Sequence, residues 1–169
     1  VTDKPLMELG VAPQAMAGLA EAGVETVIFD GVLPDPTYDI VAQGKAIYQR
    51  EACDSILAIG GGSSIDAAKV MGVALTHEGA PQDFVGFGKV KEPLPPFYVI
   101  STTSGTGSEA TMGAVISDNV THEKGVISGA TMLPLAACVD PALMTGLPPH
   151  ITAATGVDAL THAVEAYIG

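Results

Sequence analysis

The sequence has few charged residues, and positive charge is the scarcest kind. Lys and Arg together number 7 against 19 Asp and Glu, so the formal net charge is -12, and charged residues make up only 15% of the chain. Proteins that bind nucleic acid through its phosphates rely on clustered Lys and Arg. No basic run occurs here, so we expect no nucleic-acid partner and interpret the acidity as a solubility feature.

Cysteine and long apolar runs are also scarce. Cys53 and Cys138 lie far apart in apolar contexts and form no CxxC motif, which favours buried free thiols in a reducing compartment over a disulfide. No apolar run approaches the roughly 18 residues of a membrane span, and no charged-then-apolar leader opens the chain. We therefore expect a soluble, cytoplasmic protein with no membrane partner.

What the sequence does contain is the composition of one globular domain. Its 169 residues are 47% hydrophobic, with 20 Gly and 12 Pro that indicate many turns. Val1 to Lys4 have the character of the end of a strand, and Gly169 follows a predicted helix directly. We expect the chain to be an internal piece of a longer protein.

Short apolar runs alternate with helical patterns, which predicts βαβ units and an α/β fold with a mostly parallel sheet. Helices are predicted at 5–23, 40–52, 63–77 and from 148 to the end, with Ser63 or Ser64 capping the third. Strands are predicted at 25–30, 55–59, 97–101 and 135–140, with a β-ribbon around 112–129. Loops are predicted at 32–39 and 77–96, and a domain boundary near residue 147.

Three glycines join a predicted strand to a predicted helix in the motif IGGGSSID. We call Gly60, Gly61 and Gly62 the glycine loop. Glycine lets backbone N–H groups approach an anion, which then faces the positive end of the following helix. A tight turn that needs glycine for steric reasons alone is the alternative, but three glycines followed by Ser63 favour a phosphate site.

A second loop, residues 101–111, is rich in hydroxyls, and we call it the hydroxyl loop. Its SGTGSEA segment matches the GxGxxA pattern, but the acidic residue expected about 20 positions later is absent. Because ligands of open α/β sheets bind at the carboxyl ends of strands, the loop could form a ligand wall. Ordinary turn formation explains scattered Ser and Thr equally well.

Asp158 and His162 are four residues apart on the predicted last helix. Residues at this spacing share a face and could bind one cation, with Glu165 one turn further on. A surface hydrogen bond is the more common use of such a pair, and two ligands leave a divalent site incomplete. Spacing alone therefore leaves both interpretations open.

The motifs together resemble those of the iron-dependent (group III) alcohol dehydrogenases. The segments that match in order and spacing are VTDK, GGGSSIDAAK, STTSGTGSEAT, DPALMTGLPP and ATGVDALTHAVEAY. The resemblance covers essentially the whole chain but less than half of a family member. It implies a Rossmann-like dinucleotide-binding domain at 1–146, whose N-terminal strand is incomplete, followed at 147–169 by the first helices of an all-helical, metal-binding domain.

The resemblance also implies roles for individual residues. Asp158 and His162 match two ligands of an Fe²⁺ site whose other two ligands, both histidines, would lie beyond Gly169; Zn²⁺ or another divalent ion is also consistent. Asp3 matches the acid that binds the adenosine ribose, which favours NAD over NADP. The remaining expected cofactor contacts are Gly61, Gly62, Ser63, Thr102, Thr103, Thr106, Thr111 and Lys124.

One residue departs from the family pattern. The usual Pro-Asn-Pro-Thr reads here Pro34-Asp35-Pro36-Thr37. Asp35, near the expected cofactor, could accept a hydrogen bond from a ribose hydroxyl but could no longer donate one, which puts its role and the tightness of NAD binding in question.

The implied activity is hydride transfer between NAD(H) and a primary alcohol or aldehyde, with Asp158 and His162 as catalytic metal ligands. Family members are commonly dimers or larger, so we expect a homo-oligomer. A zinc-dependent enzyme of the glycerol dehydrogenase type and a nucleotide-binding module without catalysis are the alternatives. Because two metal ligands would be missing, we predict that the 169 residues alone are inactive.

Overall fold

The computed structural model describes all 169 residues and shows a mixed α/β fold. The helices are α1 Lys4–Glu8, α2 Val11–Glu21, α3 Tyr38–Arg50, α4 Gly62–Thr76 and α5 Pro149–Ile168. The strands are β1 Ile56–Gly60, β2 Gly86–Phe87, β3 Phe97–Ser101, β4 Gly113–Ser117, β5 Lys124–Ser128 and β6 Ala136–Val139. None of these helices combines the length and the apolar character that a membrane crossing requires.

The main sheet has the order β1-β3-β6, and both of its pairings are parallel. Its central strand, β3, pairs Phe97 with Ile56 of β1 and Tyr98 with Ala136 of β6. Parallel strands of this kind are typically covered by helices, which is why they consist of nearly continuous apolar runs. The predicted α/β class and parallel sheet are confirmed.

A second, smaller sheet has the order β2-β5-β4. Strands β4 and β5 are antiparallel, with Gly113 opposite Ser128 and Ser117 opposite Lys124, and they form the predicted ribbon. Strand β2 extends it within the segment predicted as a loop at 77–96, which also contains a 3-10 turn at Pro81–Phe84.

The helix predicted at 5–23 is divided in two. Gly10 has a φ of +76°, a left-handed conformation that ends the first helical turn and starts the second helix. Helix α1 begins where Asp3 caps it, with Pro5 in its first turn. The helical pattern was therefore predicted correctly, but the break inside it was missed.

The strand predicted at 25–30 is absent. Two hydrogen bonds tie the end of this segment to Thr2: its N–H donates to the Phe29 carbonyl at 2.9 Å and its carbonyl accepts from Val32 N at 3.3 Å. Val24, just before the segment, and Val27 and Ile28 within it are 44–49% exposed. No neighbouring strand pairs with residues 24–28, and because a β-strand needs such a partner for its backbone hydrogen bonds, the apolar run does not form one.

Two smaller expectations are also wrong. Helix α4 begins at Gly62 with Gly61 as its N-cap, and no side chain caps it, so neither Ser63 nor Ser64 has that role. Both cysteines are free, as predicted, but Cys138 is exposed on β6 and Cys53 is only half-buried.

Helix α4 lies at the centre of the core. Every residue from Ser64 to Ala74 is buried, because the helix contacts β1 of the main sheet, β4 of the second sheet and α3. Ile65 and Ala68 pack with Phe97 of β3. A helix that is apolar on nearly all sides is expected to be buried in this way, and its position fixes the loop that precedes it.

Candidate functional site

The glycine loop and the hydroxyl loop meet at one edge of the main sheet. Gly60 ends β1 and pairs with Ser101, which ends β3. Thr102 N then donates to the Gly60 carbonyl at 3.0 Å. Both loops therefore leave the carboxyl ends of adjacent parallel strands, which is the position where open α/β sheets bind ligands.

The two loops are packed so closely that side chains at Gly61 and Gly62 would press on the hydroxyl loop. A Cβ on Gly61 would lie 2.8 Å from Thr103 Cγ2, and one on Gly62 would lie 3.3 Å from Ser108 Oγ and Thr106 Cβ. The steric interpretation of the glycines is thus correct as far as it goes. A phosphate site remains possible at the start of α4, which no side chain caps. The free N–H groups and the helix dipole there favour an anion.

The hydroxyls predicted to form a ligand wall differ in exposure. Thr102 is buried, Thr103 and Thr106 are half-buried, and Thr111 is exposed. Thr103 Oγ1 is a buried polar atom with no hydrogen-bond partner, and it lies at the contact with Gly61. Buried polar atoms normally have partners, so this hydroxyl fits a site whose ligand completes it. Ser63, in the first turn of α4, is half-buried.

Asp3 lies near the same edge. Val1 is hydrogen-bonded to β1, because Ile59 N donates to the Val1 carbonyl at 2.9 Å. Asp3 follows two residues later, and Leu6 of α1 lies 3.5 Å from the position of a Cβ on Gly60. Asp3 Oδ1 accepts from Leu6 N at 2.9 Å, so one carboxylate oxygen caps α1. A ribose hydroxyl could therefore bind Asp3 Oδ2, or it could share Oδ1 with the Leu6 N–H.

Asp35 and Lys124 are brought together, a contact that the sequence did not predict. Lys124 Nζ lies 2.6 Å from Asp35 Oδ1, with both side chains more than half exposed. Asp35 has a φ of +54°, a left-handed conformation that Asn and Asp adopt more readily than other residues. The carboxylate that replaces the family's usual amide thus forms an ion pair with the lysine that the resemblance assigns to the nicotinamide ribose.

Asp158 and His162 lie together on α5. His162 Nε2 is 3.7 Å from Asp158 Oδ1, too long for a hydrogen bond but suitable for two atoms that face one cation. One oxygen and one nitrogen donor fit a divalent ion. No group of three or more His, Cys, Asp or Glu able to bind a metal occurs in the chain, so Glu165 does not complete the set.

Helix α5 contacts the hydroxyl loop at Gly105. A Cβ on Gly105 would lie only 1.8 Å from the Thr155 carbonyl oxygen, so glycine alone permits the approach. Thr155 is three residues before Asp158, less than one helical turn away. The metal-ligand pair is therefore carried by a helix whose backbone is in contact with the loop that faces Gly61 and Gly62.

Sequence reasoning missed two charged residues beneath this site. Asp66 and Lys69 are buried within α4 and bond to the backbone of residues 108–115. Their signal was present in the sequence, since both fall inside an otherwise apolar helix. Charged residues are almost never fully buried without partners, so the pattern could have predicted a buried polar contact.

Two surface cavities of about 320 and 280 Å³ lie away from this edge. The larger is between residues 93–97 and 130–135, and the smaller lies beside α3 and the Pro81–Gln82 turn. The candidate site is instead an open edge of the sheet, suited to an extended ligand.

Comparison with known proteins identifies the family. Residues 1–141 match the sequence profile described as iron-containing alcohol dehydrogenase. The chain belongs to this family. It is 46% identical to the 1,3-propanediol dehydrogenase of Klebsiella pneumoniae over 99% of its own length and 44% of that protein. It is 40% identical to the NAD-dependent methanol dehydrogenase of Bacillus methanolicus, again over 99% and 44% of the two chains.

The fold agrees with the family. A crystal structure of a 1,3-propanediol oxidoreductase superposes with a TM-score of 0.95 at 47% identity, covering 99% of this chain and 44% of the other. The chain thus spans less than half the length of the relatives it matches. The resemblance drawn from the sequence motifs is confirmed, whereas the roles of individual site residues stay predictions.

Proposed function

We propose that the complete protein, meaning the translated product with any residues beyond the 169 described, is a metal-dependent oxidoreductase. It would transfer a hydride between NAD(H) and a primary alcohol or aldehyde. The observation that carries this proposal is the contact between Gly105 and Thr155. It connects the helix that bears Asp158 and His162 with the loops that fit a dinucleotide.

The chain's own groups account for nucleotide binding. The uncapped start of α4 favours the pyrophosphate at the glycine loop. The Asp3 carboxylate would accept hydrogen bonds from ribose hydroxyls and repel a 2'-phosphate, so NAD should be preferred. Thr103 and Thr106 would line the cofactor, with Lys124 near its nicotinamide end, where Asp35 partly neutralises the lysine charge.

The metal would be held by Asp158 and His162, together with two histidines that the resemblance places beyond Gly169. A bound Fe²⁺ or Zn²⁺ would act as a Lewis acid on the alcohol oxygen, and the nicotinamide would accept the hydride. His162 would bind the cation through the lone pair of Nε2. No residue of this chain is assigned as a general base.

The direct test is the reaction itself. The purified, iron-loaded complete protein should produce NADH from NAD when primary alcohols are supplied, and metal analysis should find one divalent ion per chain. Zinc at full occupancy in protein isolated without added metal would favour the alternative of the glycerol dehydrogenase type. NAD binding without turnover on any primary alcohol or aldehyde would reject the oxidoreductase.

The chain of 169 residues alone is better described by the second candidate, a nucleotide-binding module without catalysis. The observation that favours it is the absence of any three-residue metal-binding group in the chain. Alcohol-dependent formation of NADH by the purified 169-residue chain would contradict this. The expectation of a homo-oligomer rests on the resemblance alone, and light scattering on the complete protein would test it.

A further inference from the structure

Lys69 is a fully buried charge that the proposed chemistry does not use. Its side chain is 0% exposed in the middle of α4. Lys69 Nζ donates to the carbonyl oxygens of Ser108 at 2.7 Å, Thr111 at 2.7 Å and Gly113 at 2.9 Å. An ammonium group has three hydrogens and a neutral amine only two. The three carbonyls therefore match the charged form.

Asp66 extends the same arrangement by one turn of the helix. Its Oδ2 accepts a hydrogen bond from Val115 N at 2.8 Å. The two side chains together bind the backbone at four points between residues 108 and 115. This segment includes the end of the hydroxyl loop and the start of β4, a strand that α4 also contacts directly.

The charge state of Lys69 is consistent with this role at neutral pH. Burial lowers the pKa of Lys69 to about 8, while the nearby carboxylates of Asp66 and Glu109 act to raise it. The lysine is therefore mostly protonated at pH 7. A buried charge adds little to stability compared with apolar packing of the same volume, so core packing alone does not account for a lysine here.

A single helix thus connects both loops of the candidate site. The glycine loop leads directly into the first turn of α4, and Lys69, two turns further on, holds the hydroxyl loop that faces it. The 108–113 backbone continues the loop that faces the glycine loop, since Ser108 Oγ and Thr106 Cβ both lie 3.3 Å from the position of a Cβ on Gly62. Binding groups need supporting contacts of this kind to keep their geometry.

We propose that Lys69 is a positioning residue: its buried ammonium fixes the hydroxyl loop against the glycine loop and thereby sets the affinity of this edge for a dinucleotide. The second half of this statement rests on the proposed function. Lys69 itself touches no ligand, because its three hydrogens are all used by backbone carbonyls.

The test compares Lys69→Met with Lys45→Met in the complete protein. Lys45 Nζ donates to the Ala74 carbonyl at 2.5 Å, at the other end of α4 and away from the candidate site. Lys69 is a residue of α4, and Lys45 binds a carbonyl of α4. Each variant therefore removes one lysine that hydrogen-bonds α4 to another part of the chain. Two quantities are measured: the Kd for NAD by calorimetry, and amide hydrogen exchange of residues 101–113 without nucleotide.

We expect Lys69→Met to raise the Kd for NAD about tenfold or more, as loss of a supporting contact does at other binding sites. In Lys69→Met, amide hydrogen exchange of residues 101–113 should become faster, while the metal content stays at the wild-type level. Lys45→Met should lower the thermal midpoint but leave both quantities as in wild type. Should Lys69→Met not fold, Lys69→Gln replaces it, since its shorter, uncharged amide cannot reach three carbonyls.

The outcomes separate this inference from the proposed function. If wild type binds NAD and the Lys69 variant binds it equally tightly, Lys69 is not a positioning residue. If wild type fails to bind NAD, the proposed function fails, and the exchange rates alone decide whether Lys69 fixes the loop. Unchanged exchange in the Lys69 variant would overturn the inference in either case.

Discussion

Replacing Gly105 by alanine tests whether the contact between the hydroxyl loop and α5 matters for turnover. The new Cβ would lie 1.8 Å from the Thr155 carbonyl oxygen, whereas ordinary contacts begin at 3.4 Å. The helix backbone would therefore have to retreat by about 1.6 Å, the difference between these two distances. Gly105 also has a φ of +132°, and strain of this kind costs about 1–3 kcal/mol for other residues.

The displacement would fall within one turn of the metal-ligand pair. A misplacement of about 1 Å in a reacting geometry can reduce a rate by about 100-fold. We therefore expect Gly105→Ala in the complete protein to lower kcat by about 100-fold or more. The Kd for NAD should change less than kcat as long as α5 retreats and the hydroxyl loop keeps its position against the glycine loop. The kcat is measured from steady-state formation of NADH, and the Kd from calorimetric titration with NAD.

Gly107→Ala is the matched control. Gly107 has a φ of +66° in the same loop, but a Cβ there would meet nothing within 4 Å. This variant lacks the clash, and its backbone lies in the left-handed region that other residues adopt at a lower cost than a φ of +132°, so its kcat should remain much closer to wild type. Wild-type kcat in Gly105→Ala, or an equal loss in Gly107→Ala, would refute the argument from the Thr155 contact.

Three further substitutions in the complete protein test individual residues. Asp3→Asn keeps an oxygen to cap α1 but removes the charge, so the preference for NAD over NADP in kcat/KM should fall with little loss of stability; an unchanged ratio would argue against a ribose contact. His162→Ala should eliminate both bound metal and turnover, and metal retained at wild-type stoichiometry would exclude His162 as a ligand. Asp35→Asn should release Lys124 and tighten NAD binding, most clearly at low salt, while unfolding free energy changes by less than about 1 kcal/mol because the pair is exposed. Equal or weaker NAD binding at low salt would mean that the ion pair does not compete with the cofactor.

The elements best predicted from the sequence are those with the strongest local patterns. The apolar run of β1 and the glycines after it predicted a strand, a tight loop and a helix, and the structure has all three. The segment at 25–30 also contains a short apolar run, Val27 to Phe29, but forms no strand, because strand formation depends on a partner and not on the run alone. Local pattern therefore predicted helices and parallel strands better than it predicted which strands pair.

The candidate site shows the same division. The pairing of Asp158 with His162 follows from helical spacing and was predicted. The contact of Gly105 with Thr155 joins residues 50 positions apart and depends on how α5 leaves the sheet, which no local pattern encodes. The ion pair between Asp35 and Lys124 likewise depends on a left-handed residue and on strand β5 lying beside it.

The burial of residues 64–74 of α4 restricts which substitutions the helix can accept. Enclosed by two sheets and α3, the helix has no face on which side-chain volume can vary freely, and even Gly72 would place a Cβ 2.9 Å from Leu94. Sequence variation should therefore concentrate in the loops and in α5, while residues 64–74 tolerate only replacements of similar size. A saturation library across residues 64–74 should return the fewest functional clones of any helix in the chain.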